Sequence, residues 1–101
     1  MIRFEWDPVK ARGNQRKHGV SFEDAMHVFE DPHALFEPEI ADYAGELRWR
    51  VLGLAGRAAL LLVAHTVRGE DHDEVVRLIS ARRATRKERE RYEQIGAQDA
   101  G

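Results

Sequence analysis

The 101-residue chain contains no cysteine. Disulfides, thiolate zinc sites and cysteine nucleophiles are excluded together, and a reducing cytoplasm is the expected compartment. No apolar run approaches the roughly 20 residues that a membrane span needs. Met1-Ile2-Arg3-Phe4-Glu5-Trp6 carries no signal-peptide hydrophobic block, so no membrane association is expected. There is no excess of positive charge either. The formal net charge is -2, which gives no global argument for nucleic acid. Gly53-Leu54-Ala55-Gly56 lacks the Lys-Ser/Thr of a phosphate loop, and no G-x-S-x-G elbow occurs. None of the five histidines, His18, His27, His33, His65 and His72, has a partner at H-E-x-x-H spacing. Neither a metal nor a cofactor is expected.

What charge there is lies in blocks. Residues 21–46 hold eight acids and no Lys or Arg, whereas 10–17 and 82–91 are basic. A fold that keeps these apart has one positive and one negative surface. The length fits a single domain, expected over 1–95 with a frayed tail over 96–101.

Ile2, Phe4 and Trp6 alternate with Arg3 and Glu5, the pattern of a strand with one buried face. Asp7-Pro8 reads as a helix cap followed by proline at the first helical position, and Gly19 as the stop. Ser21 caps a second helix, whose stripe Phe22, Ala25, Met26 and Phe29 is core; Asp31-Pro32 ends it. A short strand at 34–36 and an acidic loop through Gly45 follow. Leu47 to Leu54 is a strand with Trp49 and Val51 on one face and Arg48, Arg50 and Leu52 on the other. After a hairpin turn at 55–57, Ala58 to Val67 is the most apolar strand and central in the sheet. Residues 68–73 form a polar loop, Val75 to Arg82 is the last strand, and a helix runs from Thr85 to about Ile95. The class is α+β: a mainly antiparallel sheet, two early helices on one face, and the order β-α-α-β-β-β-β-α. The face without helices then carries Arg48, Arg50 and Arg77, a groove suited to a nucleic-acid backbone.

The last strand delivers its end into Arg82 and Arg83, and a helix starts at once. Thr85 and Glu88 have capping-box spacing. Between Arg82 and Arg91 six basic residues stand against two acidic ones. Pairing along the helix accounts for Arg86 onward, but not for Arg82 and Arg83, which precede the cap. A guanidinium fork there matches two phosphate oxygens. The chemistry left open is phosphodiester cleavage without a metal, in which RNA brings its own 2′-OH nucleophile. Arginine and lysine serve the charge; a histidine, glutamate or tyrosine serves the proton. His18, at a helix C-terminus, is also explained by the helix dipole. His65, on the central strand, is also explained as a core or sheet-edge residue.

The residues resemble the BrnT-type toxins of bacterial type II toxin–antitoxin systems over nearly all of 2–93. The resemblance rests on Phe4-Glu5-Trp6-Asp7-Pro8 with Lys10, on Asn14 to Glu23, and on Phe29-Glu30-Asp31-Pro32. It continues in Arg48-Trp49-Arg50 with Gly53, His65-Thr66 with Arg68-Gly69, and Ile79 to Thr85 with Glu88 and Tyr92-Glu93. It implies a RelE-like fold and ribonuclease activity on cellular RNA. It further implies a small ribbon-helix-helix antitoxin, in a two-plus-two complex that alone contacts operator DNA. By match to the closing motif Arg82 and Arg83 lead as catalytic residues, followed by Lys17 and His18, then His65. Arg48, Arg50, Arg77 and Arg86 are the expected RNA contacts. Unpaired arginines on an open sheet would repel one another, so the antitoxin is expected on that face. The loop from Gly69 to Glu74 departs from the family by its length and acidity. A non-catalytic nucleic-acid or partner-binding module, and an interaction protein acting through its acidic surface, are the competing classes.

Overall fold

The computed structural model describes residues 2–39, 47–56, 59–70 and 72–100. The expected acidic loop over 40–46, Arg57 of the hairpin turn and Asp71 of the polar loop lie outside the described residues. In chain order the elements are β1 (Ile2–Glu5), α1 (Pro8–His18), α2 (Phe22–Met26), a 3-10 turn (His27–Glu30), β2 (Leu35–Pro38), β3 (Arg48–Ala55), β4 (Ala59–Arg68), β5 (Glu74–Arg83) and α3 (Arg86–Ala100). The α+β class and the element order are as expected. α3 continues to Ala100 rather than stopping near Ile95, since Gly96 weakens a helix interior without ending it.

The strands form one sheet in the order β1-β5-β4-β3-β2. β2 to β5 pair antiparallel, because short connections leave no room for crossovers. β1 sits at the far edge, parallel to β5, with Glu5 opposite Arg77. β4 is central, as its apolar run requires. An extra residue in β5 shifts the register between Ala64 and His65.

Local chemistry fixes the helix ends. The Asp7 side chain accepts from Val9 N–H at 2.8 Å, and Gly19 closes α1 at φ 70°, the left-handed region where it carries no Cβ penalty. The Ser21 hydroxyl accepts from Asp24 N–H at 3.1 Å. The stripe on α2 holds for Phe22 and Ala25, both fully buried. Beyond Met26 the chain tightens into the 3-10 turn, which has fewer residues per turn. The inward position therefore passes to Val28, and Phe29 is only partly buried.

α1, α2 and the 3-10 turn cover one sheet face, where Phe22, Val28, Val51, Leu61, Val63, Val76 and Leu78 form the main core. The other face is covered at one end only. There Ala84 and Tyr92, at the start and middle of the α3 region, pack with Leu35 and Leu54 on Leu52, Leu60 and Leu62.

Gly53 permits a close approach. A Cβ there would lie 2.9 Å from Val28 Cγ1, 3.2 Å from Asp31 Oδ2 and 3.3 Å from Ala34 Cβ. Gly53→Ala is expected to destabilise by about 1–3 kcal/mol, because the obstruction is packed core and not a flexible tip. Urea unfolding measures it; an unchanged midpoint would mean that the 3-10 turn shifts freely.

Candidate nucleic-acid interface

Strand alternation and register settle which side chains share the half-open face. Arg50 lies opposite Ala64, which lies opposite Ser80. One row away, Arg48, Thr66 and Arg77 line up across β3, β4 and β5. One row the other way come Leu52, Leu62 and Arg82, at the border that α3 covers. The expected set Arg48, Arg50 and Arg77 is thus brought together, and Arg82 joins it. Arg86 lies apart on α3, exposed and paired to Glu90 at 3.3 Å.

Each of these cations meets a carboxylate. Arg50 Nη2 donates to Glu37 Oε1 at 3.3 Å, and Arg91 Nη2 donates to the same oxygen at 2.9 Å. Arg77 and Arg68 both donate to Glu5 Oε1, and the hydrogen bond from Arg68 holds the Glu5 carboxyl below its usual range. Arg48 pairs with Glu39 at 3.8 Å. Mutual repulsion among bare arginines, the expected reason for a partner here, is therefore absent at these positions. Six guanidinium groups (Arg48, Arg50, Arg68, Arg77, Arg82, Arg91) still outnumber the carboxylates Glu5, Glu37, Glu39 and Glu88. Nε of Arg50 is buried without a hydrogen-bond partner among the described residues.

Arg82 is held hardest. Its Nη1 and Nη2 donate to Glu88 Oε1 and Oε2 at 2.9 and 3.0 Å, a two-pronged pair, and Nη1 also reaches the carbonyl of Arg83 at 3.1 Å. Glu88 closes the expected capping box as well: it accepts from Thr85 N–H at 2.8 Å, and its own N–H donates to Thr85 Oγ1 at 3.2 Å. The bond from Arg82, helped by Thr85 and opposed by partial burial, pulls the Glu88 carboxyl down to about 2 from 4.5. The same bond raises the Arg82 pKa. The fork leaves the Arg82 side chain 35% exposed.

A depressed carboxyl stabilises the fold in full above its unfolded value near 4.5 and loses that contribution as pH falls toward 2. Glu88→Gln should abolish this acid limb. At neutral pH it should cost about 2 kcal/mol, discounted for the solvent that reaches Arg82. Urea melts of both proteins between those pH values measure it. Parallel acid limbs would exclude Glu88 as their source.

Arg83 follows alternation onto the opposite face, beside Leu61. There α1 is stapled to β5 by Asn14, a residue to which the sequence assigned no role. Its amide donates to the carbonyls of Val20 and Ala81 at 3.0 and 2.9 Å, and its oxygen accepts from Ala81 N–H at 3.1 Å. β1 runs parallel to β5 and ends beside Arg77, so α1 proceeds toward the Arg83 end of β5. Lys17 and His18, in its last turn, follow Asn14 to that end; Lys17 is exposed and His18 half-buried. These two and Arg83 therefore flank the sheet end rather than the arginine rows.

His65 is not brought to either group. It is 1% exposed on the helix-covered face, edge-on to Phe29 and Phe36 at 4.9 and 6.1 Å. Burial pushes its pKa down, which favours the neutral ring. Its core position follows from its strand phase with Leu61 and Val63.

A further polar anchor lies midway along α3. Tyr92 O–H donates to Asp31 Oδ2 at 2.6 Å, and Leu54 N–H donates to the same oxygen at 2.8 Å. Burial alone would raise Asp31, but these bonds and one from His33 N–H outweigh it and lower its pKa. Burial and donation to Asp31 push Tyr92 up to about 12. The anchor holds α3 so that Arg91 reaches Glu37. Such countercharges come from remote segments and leave no local signal.

Fold and face together define a small α+β domain that gathers guanidinium groups from neighbouring strands on a half-open sheet. A family sequence profile, described as the ribonuclease toxin, BrnT, of type II toxin–antitoxin systems, matches residues 6–88. The chain belongs to this family. Membership makes it a ribonuclease toxin whose system includes a protein antitoxin. The crystal structure of the Brucella abortus ribonuclease toxin, BrnT, superposes with a TM-score of 0.65 at 24% identity, covering 85% of this chain and 100% of that one. That likeness concerns the fold. No curated protein matches the chain. Among the described residues no helix is long and apolar enough to cross a membrane.

Proposed function

We propose that the protein cleaves cellular RNA without a metal, by attack of the 2′-OH on the adjacent phosphorus. The observation that carries this is the convergence of Arg50 and Arg91 on one anionic oxygen of Glu37, one row from the Arg82 fork. An arrangement that gathers a carboxylate oxygen suits a phosphate oxygen equally. In the reaction the O2′–P bond forms and the P–O5′ bond breaks. The 2′ proton passes to a base, and the departing 5′ oxygen receives a proton.

Arg82 is assigned to the charge that develops on phosphorus; Arg83 and Lys17, on the other face at the same sheet end, are assigned to the RNA charge there. His18 is assigned to proton transfer, and His65 is left out of the set. Arg48, Arg50, Arg77 and Arg86 bind the RNA backbone. The protein acts in the cytoplasm. Its antitoxin is a ribbon-helix-helix dimer in a two-plus-two complex, and operator DNA is contacted through that partner alone.

Purified partner-free protein tests this. Cleavage should persist in EDTA and leave 2′,3′-cyclic phosphate or 3′-phosphate ends. Activity lost in chelator and restored by magnesium would overturn the mechanism. RNA binding without any cleavage would reduce the face to an affinity surface.

A further inference from the structure

On the helix-covered face the helices stop short of one end of the sheet and leave an apolar groove of about 440 Å³. Trp49, His65 and Val76 lie along it, with Ile2, Phe36 and Val67 as its exposed parts. Ile2 is 53%, Phe36 52% and Val67 38% exposed. Single exposed apolar side chains are ordinary, whereas a contiguous set marks a contact surface. The groove takes residues from all five strands, so it runs across the sheet for roughly 19 Å, the length of about twelve helical residues. That is the shape an amphipathic helix fills with three or four side chains.

Charge selects the occupant. Among the described residues Glu74 is the one charged side chain of the lining. The lining holds that one carboxylate and, among those residues, no lysine or arginine. No lysine or arginine occurs between residues 21 and 46. A second copy docking by two-fold symmetry would bring Glu74 toward the carboxylate of its own copy. RNA would meet a carboxylate and, among the described lining residues, no lysine or arginine. The arginine face, by contrast, already carries its own carboxylates.

We propose that this groove anchors the antitoxin, through an apolar helical segment flanked by lysine or arginine. The proposal rests on the chain being the toxin of a type II system. Its consequence is that antitoxin binding and RNA cleavage have separate surfaces on the toxin.

The test pairs purified toxin with the antitoxin encoded beside it, measuring affinity by calorimetry and RNA cleavage by toxin alone. The Ile2→Lys/Val67→Lys double variant should bind about 30-fold more weakly or worse, as for loss of a central apolar anchor. Its partner-free RNA cleavage should stay within about twofold of wild type. Glu74→Lys, which leaves the apolar surface intact, should weaken binding on charge grounds and decides the matter if the double variant does not fold. Wild-type affinity in both variants would overturn the proposal. So would weakened binding in Arg50→Glu with the groove variants unaffected, which would put the antitoxin on the arginine face. A dimeric wild-type toxin made monomeric by the groove variants, with antitoxin affinity kept, would overturn it in favour of a second copy. Toxin that binds antitoxin as expected yet cleaves no RNA would count against the proposed mechanism and leave the groove assignment standing.

Discussion

Arg82→Ala should lower RNA cleavage by partner-free toxin by about 100-fold or more, the usual effect of removing a group that stabilises transition-state charge. The protein should remain folded. Arg82 does more than face solvent, since its two-pronged bond to Glu88 is lost with it. Glu88 keeps its bond from Thr85 N–H, so the stranded carboxylate is partly satisfied. The expected stability loss is about 1–2 kcal/mol. Arg82→Lys should be impaired too, because an ammonium cannot offer two parallel donors. Glu88→Gln separates the effects: it loosens the same contact and keeps the cation. Growth arrest on induction, RNA cleavage and urea midpoints should be read on all three. Folded Arg82→Ala that arrests growth as well as wild type would remove Arg82 from the site.

Asn14→Ala should be among the most destabilising substitutions outside the apolar core, at about 3 kcal/mol. Asn14 is 8% exposed, and alanine would strand Ala81 N–H and the carbonyls of Ala81 and Val20. Water cannot replace these bonds without opening the contact between α1 and β5. The shift in urea midpoint at constant slope measures the loss. Below the transition the remaining folded protein should also cleave RNA less well, since α1 carries Lys17 and His18. A midpoint moved by less than about 0.5 kcal/mol would show that α1 is held by its apolar contacts alone.

Much of this was legible along the chain because the signals are local. Asp7, Gly19, Ser21 and the Thr85–Glu88 pair act within a few residues of themselves. Apolar phase alone put Trp49 and Val51 opposite Arg48 and Arg50. The same phase in β5 set Arg77 apart from Val76 and Leu78. The sequence by itself thus determined the element order, the central place of β4, an arginine-bearing sheet face and the family.

Only the tertiary structure decided what each arginine meets. Glu37 lies far along the chain from Arg91, and Glu5 from Arg77, so their pairing depends on strand register. The tightening of α2 into a 3-10 turn moved the buried position from Phe29 to Val28, because packing against β3 outweighs helical periodicity. Of the two readings the chain left open for His65, core residue or catalytic group, the fold takes the first: it is buried among Phe29 and Phe36, and burial lowers its pKa. The parallel placement of β1 beside β5 was equally nonlocal. It brings Ile2 to one side of a groove whose other side is Phe36, and separation along the chain cannot reveal two residues that meet only across a whole sheet.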